Sequence, residues 1–175
     1  SGNTNAGPKL EILSAASTGT AINIAGTSET TSYGVVFNYV NPKEILSTAG
    51  GNISITGITT DGSDGIFLSN TDVLATDGTI TIDGGSGIKV TNSEYASSNL
   101  GYISGHSSIG SSAADIVMIA DEVTLSDPLE VSTSGTYTFK PSSNSFSSAT
   151  TYPISNLTLT DVTGLTIGKP SNTAD

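Results

Sequence analysis

Chemistry in this chain has to come from carboxylates. Sixteen Asp and Glu stand beside five Lys and one His, with no Arg, Cys, Trp or Gln. Two carboxylates held about 5 to 10 Å apart can hydrolyse a glycosidic bond, one as acid and the other as base or nucleophile. Four pairs lie close in sequence: Asp61 with Asp64, Asp72 with Asp77, Asp121 with Glu122, and Asp127 with Glu130. Each has a plainer reading. Asp61-Gly-Ser-Asp64-Gly and Asp77-Gly are turn sequences, where Asp bonds its own backbone and Gly supplies positive φ. Asp121 and Glu122 occupy adjacent strand positions and so point to opposite faces. The expectation is that these acids serve turns and the solvated surface, and no residue is assigned a catalytic role.

The lone His106, in Gly105-His-Ser-Ser, reads as a loop residue, since a triad needs a placed partner and an imidazole metal site needs a second His. Calcium is the one ion that Asp-Gly turns suit, through hard oxygen ligands. Its candidate turns hold Asp61, Asp64, Asp77 and Asp83, although Asp83-Gly-Gly-Ser-Gly only touches on a calcium-binding nonapeptide. No cofactor is expected to be required. Tyr33, Tyr39, Tyr95 and Tyr102 are the aromatic candidates for a contact surface. Thr79-Ile-Thr81, Thr136-Tyr-Thr138 and Thr158-Leu-Thr160 read as ordinary outward threonines of a β-surface.

The elements that must position these groups follow from composition. Ser, Thr, Gly and Asn fill 86 of the 175 positions, and the net charge is -11. A polyanion without a guanidinium is poorly suited to nucleic acid or an anionic membrane, whose phosphates call for Lys and Arg. No run reaches the roughly 18 apolar residues of a membrane span. Zero cysteines exclude a disulfide scaffold and thiolate metal sites. Disorder shares some of these traits, but 35% of the chain is hydrophobic and its apolar residues are ordered in period two. Ile22 and Ile24, Ile53 and Ile55, Ile80 and Ile82, and Leu157 and Leu159 each alternate with small polar residues, between turn-forming ends. The chain reads as folded and all-β.

It also repeats. Gly19-Thr-Ala-Ile-Asn-Ile-Ala-Gly26 with Tyr33-Gly-Val-Val-Phe-Asn38 aligns with Gly51-Asn-Ile-Ser-Ile-Thr-Gly57 and Asp64-Gly-Ile-Phe-Leu-Ser-Asn70. Gly78-Thr-Ile-Thr-Ile-Asp-Gly84 with Ser86-Gly-Ile-Lys-Val-Thr-Asn92 is the third copy. The offsets are 31 residues from Ile22 to Ile53 and 27 from Ile53 to Ile80. Such periods indicate a stacked array. Propeller blades are longer, while a sandwich of several meanders is an open alternative that also has short strands separated by turns. A parallel β-helix (β-solenoid) fits better, with the Ile of each rung stacked on the next and insertions absorbed as loops. The expectation is a single segment over 1–175 of six to eight rungs, a rod about 30 to 40 Å long at the spacing between strands. Rungs are regular over 19–92 and less so over 114–169.

The second half resembles the bacterial filamentous-haemagglutinin-type adhesins, exported by two-partner secretion. The likeness lies in Asp115-Ile-Val-Met-Ile-Ala-Asp-Glu-Val-Thr-Leu125, Ser134-Gly-Thr-Tyr-Thr-Phe-Lys-Pro141 and Leu165-Thr-Ile-Gly-Lys169. The resemblance implies a right-handed helix, secretion to the bacterial cell surface, and a non-enzymatic role in adhesion or filament formation. It implies as partners other copies or neighbouring segments of the same long chain, and a receptor or glycan on a host or adjacent cell. Neither nucleic acid nor membrane insertion is among them. No stretch reads as a signal peptide, and Asn41-Pro42-Lys43 only begins the family's Asn-Pro-Asn secretion signature. Both departures fit an internal piece of a longer repetitive protein. The alternatives are a polysaccharide-active β-helix enzyme and a calcium- or carbohydrate-binding solenoid module.

Overall fold

A computed structural model describes residues 11–30, 32–38, 44–91, 98–101, 113–147 and 154–170. They form fourteen strands and no helix. The first turn is made of β1 (Glu11–Ser14), β2 (Thr20–Ser28) and β3 (Val35–Asn38). The second consists of β4 (Glu44–Thr48), β5 (Asn52–Thr59) and β6 (Ile66–Ser69). In the third, β7 (Thr71–Ala75) is followed by the long β8 (Ile80–Val90), which covers two faces by itself. The fourth repeats this with β9 (Ser98–Gly101) and β10 (Ile116–Leu125). Two shorter turns close the stack: β11 (Leu129–Ser132) with β12 (Thr136–Lys140), and β13 (Leu157–Thr160) with β14 (Gly164–Ile167).

Every strand pairs in parallel with its counterpart one turn away. One sheet runs β1-β4-β7-β9-β11-β13; the other runs β2-β5-β8-β10-β12-β14, with β3 and β6 joining it through β8. The architecture is the expected parallel β-solenoid. It has about four complete turns, fewer than the six to eight rungs read from the sequence. The last two turns carry strands on two faces only. The reason is local: Pro141–Ser147 contains a single large apolar residue, Phe146, so it lacks the alternation a third strand requires.

Alternation decides which side chains enter the core. In β5 the inward Ile53 and Ile55 are 1% and 0% exposed, while Asn52 lies in solvent. Stacking then produces two apolar columns through the second sheet. Ile22, Ile53, Ile80, Ile116, Tyr137 and Leu165 form one; Ile24, Ile55, Ile82, Met118, Phe139 and Ile167 form the other. Opposite them, Val73, Leu100 and Val131 stack in the first sheet and are fully buried. Each fully buried aliphatic side chain contributes about 1.5–3 kcal/mol. The buried Tyr137 keeps its hydroxyl satisfied by donating to the Met118 sulfur at 3.2 Å.

Polar side chains close the corner ahead of the second sheet by bonding from one turn to the next. Asn52 accepts from the Thr79 amide at 2.9 Å, and two steps along the stack Asp115 accepts from the Thr136 amide at 2.8 Å. Thr133, fully buried, donates to the carbonyl of Ala113 at 2.6 Å. Gly135 sits so close to the preceding turn that a β-carbon there would lie 1.5 Å from the Ala114 carbonyl oxygen.

Candidate functional site

The second corner, between β2 and β3 and between β5 and β6, behaves differently. Here the first two turns carry loops, 29–34 and 60–65, whereas β8 and β10 pass the same corner without interruption. Backbones approach closely at this bend: a β-carbon on Gly57 would stand 2.1 Å from the Gly65 oxygen. Gly34, Gly65 and Gly87 stack in line, with the Val35 amide donating to the Gly65 carbonyl at 3.0 Å and the Gly65 amide to the Gly87 carbonyl at 2.8 Å. The next position in the column is Glu122, the direct register partner of Gly87. Three glycines therefore floor a trough that ends on a carboxylate.

The loops wall this trough. Asp64, at the end of the 60–65 loop, lays its carboxylate over Gly87 and stands half-buried between the second and fourth turns. Burial pushes Asp64 above the usual carboxylate range, the nearby Glu122 pushes it further, and Lys89 acts in the opposite sense. Tyr33, from the first loop, rests its ring on Phe67 with centroids 5.0 Å apart. Ser32 and Tyr33, Gly62 to Asp64, and Glu122 with Thr124 enclose an open polar cleft of about 390 Å³. On the far side Glu122 accepts from the Ser147 hydroxyl at 3.3 Å. Asp64 and Glu122 line the same cleft, so a polar ligand held there would meet both carboxyl groups.

None of the four pairs that are close in sequence supplies this arrangement. Asp61 accepts from the Ser63 amide at 3.0 Å, and this bond holds its carboxyl below the usual range. Asp83 likewise accepts from the Gly85 amide at 3.0 Å, and Asp77 sits at a positive φ of 60°. Asp61 and Asp83 take the expected turn roles, whereas at Asp77-Gly78 the positive φ falls on the Asp rather than on the Gly. Asp121 accepts from the Ser143 amide at 2.7 Å, tying the fourth turn to the Ser-rich segment that follows β12. Glu130 is exposed and Asp127 half-buried. Asp72 corrects the expectation of a solvated acid: it is 1% exposed within β7. Its neighbour Leu74, outward like Asp72, is also fully buried, so the outer side of β7 is covered as well as its inner side.

The four calcium candidates are not gathered at one point, and among the described residues no group of three or more His, Asp or Glu is placed to hold a metal ion. Of the four tyrosines only Tyr33 can be located; Tyr39, Tyr95 and Tyr102, with His106, lie outside the described residues. Lys89 is not among the residues the sequence singles out, and Glu122 is paired there with Asp121 rather than with Asp64. A signal for Glu122 was present: extending the aligned Tyr33-Gly34, Asp64-Gly65 and Ser86-Gly87 pairs by one turn places Asp121-Glu122 in the same columns.

Comparison with family models, with curated proteins and with solved structures returns no match for this chain. Among the described residues no helix is long and apolar enough to cross a membrane.

Proposed function

We propose that this chain is a structural and adhesive rod segment of a secreted bacterial surface protein of the filamentous-haemagglutinin type, without enzymatic activity. The observation that carries this reading is the pair of apolar columns running six strands deep through one sheet. An array of this kind spends its apolar residues on a uniform axis and leaves an acidic, Ser- and Thr-rich exterior as the contact surface. Partners in this reading are neighbouring segments of the same chain and a receptor or glycan on an opposing cell. Beads coated with the folded chain, set against beads coated with chain unfolded beforehand, test it on a panel of animal and bacterial cells. Adhesion by the folded chain alone is expected. Equal retention of both kinds of bead would sink the proposal.

A second reading is favoured by one observation, the shared cleft that Asp64 and Glu122 line beside Gly87. In a polysaccharide-active solenoid these two would be the acid and its partner, with the trough holding the sugar chain. Release of reducing ends from a panel of acidic and neutral polysaccharides, lost in Asp64→Asn and in Glu122→Gln, would replace the rod reading with this one.

A further inference from the structure

The third face of the solenoid, formed by β3, β6 and the later parts of β8 and β10, carries an outward column of Val36, Phe67, Lys89 and Thr124. Its first two members are apolar on the solvent side: Val36 is 51% exposed, and Phe67 is half-buried although its neighbours Ile66 and Leu68 are fully buried. The interior does not call for them, since alternation already sends Val35, Phe37, Ile66 and Leu68 inward. Tyr33 leans on Phe67 with ring planes inclined by 39°, and the same Tyr33 lines the polar cleft at the corner. The cleft therefore has an aromatic wall beside its carboxylates.

Among the described residues the rest of the lining is hydroxyl and carboxyl, with no basic side chain: Lys89 lowers the Asp64 pKa from outside the lining. The walls are held from within. The Thr59 hydroxyl donates to the Ser63 carbonyl and the Ser63 amide to Asp61, while the Ser28 hydroxyl donates to the Thr30 carbonyl at 3.1 Å. Walls fixed beforehand lose little freedom when a ligand enters. The volume of about 390 Å³ lies at the small end of ligand sites, which run from about 300 to 1,000 Å³. This combination matches one chemistry. A pyranose ring has a face of C–H bonds that an aromatic ring can cover, and a rim of hydroxyls that donate well to charged acceptors. A sugar carrying its own carboxylate or sulfate would meet two acids on a body of charge -11.

We infer that this cleft binds a neutral hexopyranose unit of a glycan, with Tyr33 against its C–H face and Asp64 and Glu122 accepting from its hydroxyls. The inference rests on the adhesive reading, to which it gives a site and a class of sugar; the sugar is held and not cleaved. Charge is the selector: uronic, sialic and sulfated units are refused by the carboxylates that grip a neutral one. A small, open cleft gives a weak single contact, with a dissociation constant of about 1 mM. Such a contact becomes firm adhesion only when many copies engage one surface together.

Saturation-transfer difference spectra of the folded 175-residue chain test it, with methyl glycosides of neutral hexoses and methyl glucuronide as probes. Irradiation of the aromatic protons is expected to mark the ring C–H protons of a neutral glycoside and to leave the glucuronide unmarked. Tyr33→Ala is expected to weaken the neutral sugar by about tenfold, the worth of a lost stacking contact. Glu122→Gln serves as the second variant should Tyr33→Ala disturb its loop, because Glu122 is exposed. It is expected to weaken the neutral glycoside and to admit the glucuronide, with an unchanged circular dichroism spectrum. No marking of any neutral glycoside at about 50 mM, preference for the glucuronide, or binding indifferent to both substitutions would each overturn the inference. Release of reducing sugar from the bound glycoside would also overturn it, in favour of the enzymatic reading. The site and the rod fail separately. Coated beads that adhere while no glycoside is marked keep the rod and remove the site; a marked glycoside with beads that do not adhere has the opposite meaning.

Discussion

The Oδ1 atom of Asp64 stands 2.1 Å from the point that a β-carbon on residue 87 would occupy, so the carboxylate and Gly87 share a single space. The absence of a side chain in the third turn is what lets an acid of the second approach an acid of the fourth. The 60–65 loop contributes the reach and β8, which passes this corner without a loop, contributes the gap.

Gly87→Ala is therefore expected to destabilise the chain by about 1–3 kcal/mol, the usual range for overpacking. The Asp64 carboxyl group can swing aside, but its Cα lies only 3.2 Å from the new carbon. Pairing Gly87→Ala with Asp64→Gly should recover part of the loss in a double-mutant cycle by urea denaturation. Losses that simply add would show that the two residues do not compete for this space.

Asp64→Asn is expected to raise the melting temperature at pH 7 by about 1–2 °C, a small effect because the group is half exposed. The sign follows from linkage. The folded-state pKa lies above the ordinary Asp value of 3.8, so between the two the native chain binds more protons than the unfolded one and stability falls as pH rises. The penalty is complete above the raised pKa and absent below the unfolded value. Melting curves from pH 3 to pH 7 should show variant and parent converging at the acid end; a gap that is constant with pH would remove the electrostatic explanation.

Two glycines separate crowding from conformation. Gly135→Ala places a carbon 1.5 Å from a backbone oxygen that cannot move without breaking the stack, and a loss of more than about 4 kcal/mol is expected. Gly62 has a φ of +82° and nothing within 4 Å, so Gly62→Ala should cost only the strain of that φ, about 1 kcal/mol. Denaturation midpoints of the two variants provide the comparison, and equal losses would contradict the packing at the first corner.

Position along the apolar column should grade the cost of truncation. Ile82→Ala in the middle removes a fully buried side chain and is expected to cost about 2–5 kcal/mol. Ile167→Ala in the last strand, 41% exposed, should cost less than about 1 kcal/mol. Similar losses at both positions would mean that the end is covered in solution.

The contrast between columns and cleft explains what the sequence disclosed. Ile22, Ile53 and Ile80 could be matched by eye because one repeating force, burial on a period-two strand, acts on each in the same way. The incomplete turns were less legible, since Ser142 to Ser147 replaces a strand by bonding to Asp121 rather than by any pattern of its own. Asp72 was misread because its composition matches a surface acid while both sides of β7 are covered. The pairing of Asp64 with Glu122 escaped notice for a different reason. They are neighbours across two turns, whereas acid pairs were sought within a few residues along the chain.

The parallel register also governs how this chain can assemble itself. Backbone partners lie about one turn apart in sequence, from 21 residues between Ile116 and Tyr137 to 36 between Ile80 and Ile116. No pairing step has to close a loop much longer than this, and closure entropy grows only slowly with length. Once two turns have met, each later one finds a finished template beside it. The chain can therefore fold in the order in which it emerges from a ribosome or a pore, one turn at a time, without waiting for its far end.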